Sequence, residues 1–170
     1  TLNKLKVSNK WNLGNKWIEQ NISEKKKWID KSLKDLEKET TEAKKNGGKI
    51  HPLQLALDVQ DAMKDNDWLV IDGGNTHFWS EIAINIAGHK GKKLGGILHP
   101  GTFSMLGVGV PFALSAKNLN PKSNVVLISG DGAFLSGGLS IKAAFQENKP
   151  IVVVIDNNGG LDCISQQQER

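Results

Sequence analysis

From Ser23 to Lys45 the chain runs without Gly or Pro, and Trp28, Ile29, Leu33 and Leu36 fall close to one face at helical spacing. The spacing predicts a helix over 23–45, with Ser23 as its N-cap. Asn46-Gly47-Gly48 forms its stop, because glycine accepts the left-handed backbone of a C-cap. The stretch upstream, with Trp11 and Trp17, reads as an extended connector whose aromatics dock on a neighbouring domain. From His51 the pattern changes. Pro52 suits a first helical turn, and Leu53, Ala56, Leu57, Val59 and Met63 supply a short apolar stripe. Three apolar runs, 68–72, 125–129 and 151–155, are rich in β-branched residues and apolar on both faces. Strands buried in a parallel sheet have that pattern. Helical stretches are predicted over 110–117 and 139–148. Strand, helix and strand in turn imply crossover connections and an α/β fold.

Composition sharpens this division. The 170 residues carry a formal net charge of +4. Residues 1–50 hold 13 lysines against 7 acids, and residues 51–170 hold 9 basic against 11 acidic side chains. The basic excess therefore belongs to the first 50 residues, whose lysines interleave with Glu and Asp as on a solvated helix face. Three of the 18 glycines precede residue 51. Two compositions are joined near Gly47, which predicts a connector over 1–49 and a domain over 50–170. A basic nucleic-acid-binding adaptor is the competing reading, but its support is the lysine count alone, without a binding motif or a stacking platform. No apolar run is long enough for a membrane span, and the single cysteine, Cys163, rules out an internal disulfide framework. The start, 1–15, has no continuous apolar stretch of the signal-peptide kind, so a cytoplasmic setting is expected.

The candidate chemistry sits where the apolar runs end. Asp72-Gly73-Gly74-Asn75, Gly130-Asp131-Gly132 and Asn157-Asn158-Gly159-Gly160 each follow a strand, and in open α/β sheets the carboxyl ends of strands form the ligand crevice. The loops offer a carboxylate, amide oxygens and bare backbone. That chemistry suits a hard divalent cation shared with a phosphate. Each loop alone is an ordinary turn. The pairing is more informative: 24 residues separate Gly132 from Asn157, the length of one crossover unit.

A GDG followed after about two dozen residues by NN resembles the thiamine diphosphate (ThDP) motif of ThDP-dependent enzymes. Gly101–Pro111 is similar to that family's glycine-rich segment for the aminopyrimidine ring, and Asp72–Trp79 to its diphosphate loop. Ile151–Gly160 resembles the corresponding strand of acetolactate synthases. The resemblance implies a three-layer ThDP-binding fold with a mostly parallel sheet, preceded by a helical connector. It implies Mg²⁺ held by the side chains of Asp131 and Asn158 and the carbonyl of Gly160. Diphosphate contacts would come from Asn75, Thr76 and the backbone at Gly130, Gly132, Ala133 and Phe134. Ser104 would accept from the aminopyrimidine through its carbonyl, and Leu106, beside Met105, would lie under the cofactor and hold its two rings in a V shape.

The activating glutamate of the family comes from a separate pyrimidine-binding domain, contributed by a second subunit. Glu19 and Glu24 lie in the connector and helix, so no catalytic residue is expected in this chain, which reads as a piece of a larger homo-oligomeric enzyme, inactive alone. The implied reaction makes or breaks a C–C bond next to a 2-keto or acyl carbon, acetolactate-synthase-like. A 2-hydroxyacyl- or oxalyl-CoA lyase or a simple 2-keto acid decarboxylase is the alternative. The remaining candidates are weaker. His51, His77, His89 and His99 lie too far apart for a local zinc motif, although His77 and His99 are near the proposed site. Cys163 reads as an incidental small residue without an activating partner. Gly107-Val108-Gly109 lacks the third glycine of a dinucleotide fingerprint.

Overall fold

The computed structural model describes residues 15–45 and 48–168. The chain divides into two units, Thr1–Gly48 and Lys49–Arg170. In the first, the described residues form a helix, α1, from Asn15 to Lys45. It starts earlier than its apolar face predicts. Trp17 is therefore helical rather than extended, and Ser23 is an interior residue rather than a cap. The physical reason is visible in the sequence: residues 15–22 contain no Gly or Pro, and Ile18 and Ile22 follow the i, i+4 spacing. Trp11 lies outside the described residues. The Gly48 N–H donates to the Ala43 carbonyl at 2.7 Å, closing the end of the last turn.

The second unit is built on four parallel strands: β1 (Trp68–Asp72), β2 (Gly96–Leu98), β3 (Val125–Gly130) and β4 (Val152–Asp156). Their spatial order is β2-β1-β3-β4, and every pairing is parallel. The helices are α2 (Pro52–Ala62), α3 (Asn75–His89), α4 (Gly109–Leu119), α5 (Asp131–Gly137), α6 (Ile141–Gln146) and α7 (Asp162–Gln168). Pro52 takes the first position of α2, and His51 caps it, its Nδ1 accepting from the Leu53 N–H at 3.1 Å. The apolar stripe of α2 is buried as its spacing requires.

Alternation along the central strands separates two core layers. Val70, Val125 and Leu127 face Val110, Ala113 and Ala116 of α4. Leu69, Ile71, Val126 and Ile128 point the other way, where α3 packs against β1 and β3. Leu69, Val70, Ile71 and Leu127 have no exposed surface. Fully burying each such side chain is worth about 1.5–3 kcal/mol. β4 is an edge strand and is only partly covered. The stretch predicted as one helix over 139–148 is instead a 3-10 turn, Gly138–Ser140, followed by α6.

Chain order places β2 on one side of β1 and β3 on the other. The crevice of an open α/β sheet lies at such a reversal, outside the carboxyl ends of the strands. The two loops at that point approach very closely. A Cβ on Gly73, where φ is +122°, would stand 3.1 Å from the Gly130 nitrogen. Only glycine meets both demands, positive φ and backbone contact.

Candidate functional site

The loops after β1, β3 and β4 converge on a cavity of about 280 Å³. Asn75, Thr76, Ser104, Leu106, Gly130, Asp131, Gly132, Ala133, Asn158 and Gly160 all line it. Phe134 does not: it packs on the core cluster beneath α4. Leu106 lines the cavity, whereas its neighbour Met105 is exposed outside it. The far wall, which sequence reasoning did not anticipate, comes from Leu161, Asp162, Cys163 and Ile164.

Asp131 sits at the start of α5, where its Oδ1 accepts from the Gly132 N–H at 2.8 Å. Its Oδ2 accepts from the Gly159 N–H at 3.0 Å, so the carboxylate ties the loop after β4 to the end of β3. In that loop Asn158 Oδ1 accepts from the Gly160 N–H at 3.3 Å. A carboxylate oxygen has two lone pairs, so these contacts leave acceptor capacity at Asp131. The donor set is all oxygen, the kind Mg²⁺ takes, with space left for phosphate oxygens and water. A Cβ at Gly160 would meet nothing within 4 Å, so the approach to that loop is open. The residues therefore fit a magnesium–diphosphate group.

On the opposite wall both polar side chains are already oriented. Asn75 Nδ2 donates to Asp162 Oδ2 at 2.7 Å, and Thr76 Oγ1 donates to Asp156 Oδ2 at 3.0 Å. Among the described lining residues none is Lys, Arg or His, while two are aspartates.

Asp72 closes β1 without lining the cavity. It is 1% exposed, and its Oδ2 accepts from the N–H groups of Gly109 at 2.7 Å and Gly107 at 3.0 Å. Its other oxygen is buried without a hydrogen-bond partner. Burial pushes the carboxyl above its usual range, against the pull of backbone N–H groups at Gly109, Gly107, Gly73 and Val108. The aspartate thus anchors the glycine turn that follows Ser104 and Leu106. No sequence motif flagged this role, although an acid ending an apolar strand is the available signal.

Comparison with known proteins agrees with this geometry. Residues 72–170 match the thiamine pyrophosphate enzyme C-terminal TPP binding domain, and the chain belongs to that family. It is 32% identical over 121 residues to human 2-hydroxyacyl-CoA lyase 2, and 28% identical over 121 residues to the catabolic acetolactate synthase of Raoultella terrigena. These alignments cover 70% and 71% of this chain but 18% and 21% of the relatives. Among solved structures, the ThDP-dependent 4-hydroxybenzoylformate decarboxylase of Rhodococcus jostii RHA1 superposes with a TM-score of 0.59 at 25% identity. That match covers 71% of this chain and 22% of the decarboxylase. The chain thus spans about a fifth of the length of these relatives. No described helix is long and apolar enough to cross a membrane.

Proposed function

We propose that this chain holds the diphosphate end of ThDP together with Mg²⁺, as part of an enzyme that makes or breaks a C–C bond next to a 2-keto or acyl carbon. One observation carries the metal: among the described residues, the cavity wall contains two aspartates and no cationic side chain. A diphosphate entering alone would meet repulsion in a low-dielectric recess, and a divalent cation reverses its sign. Asp131, Asn158 and the Gly160 carbonyl are the ligands. Asn75, Thr76 and the backbone at Gly130, Gly132 and Ala133 receive the diphosphate, and Phe134 contributes at most through its backbone. Ser104 and Leu106 meet the rest of the cofactor. Bound ThDP supplies an electron sink for the carbon beside the carbonyl. The chain's own residues bind, orient and shield.

An acetolactate-synthase-like reaction on pyruvate is our first reading. The 32% identity with 2-hydroxyacyl-CoA lyase 2 favours lyase chemistry on a 2-hydroxyacyl-CoA as the second. The activating glutamate is assigned to a pyrimidine-binding domain on a second subunit. The cofactor assignment is tested by thermal shift. ThDP and Mg²⁺ together should raise the melting temperature, either one alone should not, and Asp131→Ala should abolish the gain. An equal shift from ThDP without any divalent ion would overturn it. In the enzyme containing this chain, acetolactate from pyruvate supports the first reading, and cleavage of a 2-hydroxyacyl-CoA the second.

A further inference from the structure

The fold brings together two histidines that the sequence keeps twenty-two positions apart. His77 lies in the first turn of α3, and Glu81 follows one turn later on the same face. His99 comes from the segment just after β2, and its ring packs on His77 with centroids 4.6 Å apart. One donor atom from each of the three side chains lies within 4.8 Å of the others. None of the three lines the cavity described above.

The arrangement is electrostatically incomplete. His77 Nε2 stands 3.1 Å from Glu81 Oε1, yet this buried nitrogen makes no hydrogen bond of acceptable geometry. With the His77 proton on Nδ1, two lone pairs oppose one another at that separation, and either a proton on Nε2 or a metal ion is the positive centre that relieves them. We propose that this centre is a first-row transition-metal ion of the Zn²⁺ type, held by His77, Glu81 and His99 with water in the fourth position. Two imidazoles and a carboxylate suit zinc, nickel or copper rather than magnesium. Donors around tetrahedral zinc stand about 3.3 Å apart, so the present set needs to contract. The helix fixes His77 and the root of Glu81. The exposed Glu81 side chain and the exposed His99 supply the movement.

His99 pays a defined cost. Its Nδ1 now accepts from the Gly101 N–H at 3.2 Å, which leaves the imidazole proton on Nε2. Ligation through Nδ1 displaces that N–H. Ligation through Nε2 moves the proton to Nδ1, where it opposes the same N–H. Either route frees Gly101 and replaces a weak hydrogen bond by a metal link. The link joins the first turn of α3 to the segment leading into the Gly101–Phe103 turn. The metal is a staple between two loops of this domain, separate from the Asp131 site.

The test uses the full 170-residue chain. Zn²⁺ should bind with one-to-one stoichiometry and raise the melting temperature, and Co²⁺ should give the visible absorption of a low-coordinate nitrogen–oxygen site. Mg²⁺ should do neither. His99→Gln, at an exposed position, should weaken Zn²⁺ binding by more than about tenfold, since outer-shell partners alone are worth about 10–100-fold. His77→Gln should do the same. His89→Gln, at the exposed far end of α3, should leave binding unchanged. Amide exchange at Gly101 should quicken on loading. Absence of stoichiometric Zn²⁺ binding, or binding that survives His99→Gln unchanged, overturns the proposal. Should His77→Gln fail to fold, His99→Gln and the Gly101 readout still decide it.

Discussion

Replacing Asp72 gives the sharpest test of how this site is held. The carboxylate accepts from Gly109 at 2.7 Å and Gly107 at 3.0 Å, and the Gly109 end is buried. Asp72→Ala removes both acceptors and strands at least one backbone N–H without water. Hydrogen bonds to a charged group contribute about 1.5–3 kcal/mol each, and a stranded buried donor costs about 1–3 kcal/mol. Ionising a buried acid offsets part of that gain. The net expectation is a loss of about 3–5 kcal/mol, a large share of a typical stability of about 5–15 kcal/mol. Asp72→Asn keeps an acceptor toward the two glycines and should cost less.

The two substitutions also separate geometry from charge. Burial raises the folded-state pKa of Asp72 above its ordinary 3.8, so the folded state keeps the proton to higher pH than the unfolded state does. The contribution of this group to stability is therefore complete below pH 3.8 and falls as pH rises through the folded pKa. Asp72→Asn has no such fall. Urea melts across pH should show the stability of the parent, minus that of Asp72→Asn, declining above pH 3.8 and then levelling. A difference that rises with pH, or an Asp72→Ala loss below about 1 kcal/mol, would refute the buttress.

Three further outcomes are expected. Gly73→Ala places a methyl 3.1 Å from the Gly130 nitrogen at φ +122°, and should cost about 1–3 kcal/mol in a denaturant melt. The same change should weaken ThDP–Mg²⁺ binding in a thermal-shift titration, since both loops line the cavity. Leu127→Ala, at a position with no exposed surface, should lower stability by about 2–5 kcal/mol while leaving the stoichiometry of cofactor binding unchanged.

The central strands were legible because their chemistry is continuous: Leu69-Val70-Ile71 and Val125–Ile128 are apolar on both faces, which a two-sided core demands. β2 was not legible. It is three residues long, contains a glycine, and follows a lysine-rich turn. α5 was hidden for the same reason, since two glycines flank Asp131 and glycine is a poor helix former. What local propensity lacks, the Asp131 carboxylate supplies by accepting the Gly132 N–H. α3 was read only as a turn at Asn75, because β-branched and aromatic residues blur its helical period.

The loop motifs located most of the cavity, since glycine and oxygen donors leave a strong local pattern. The wall at Leu161–Ile164 left none: Leu161, Cys163, Ile164 and the lone acid Asp162 acquire meaning only through what they face. The pairing of His77 with His99 was invisible for a different reason. It depends on the return of the chain through β2, an element the pattern had not disclosed. Asp72 lay inside the recognised loop, but its task concerns a turn thirty-five residues away.

The bonds from Thr76 to Asp156 and from Asn75 to Asp162 have a consequence for motion. α7 has no buried residue and β4 is only partly covered, so the apolar contribution holding residues 152–168 down is small. Opening should therefore begin there, at a free energy well below that of global unfolding. The two aspartates act as latches across the cavity, one at the end of β4 and one at the start of α7. When they release, the cavity loses its far wall while β1 and β3 remain paired. Amide exchange in residues 152–168 should then outpace exchange in β1 and β3.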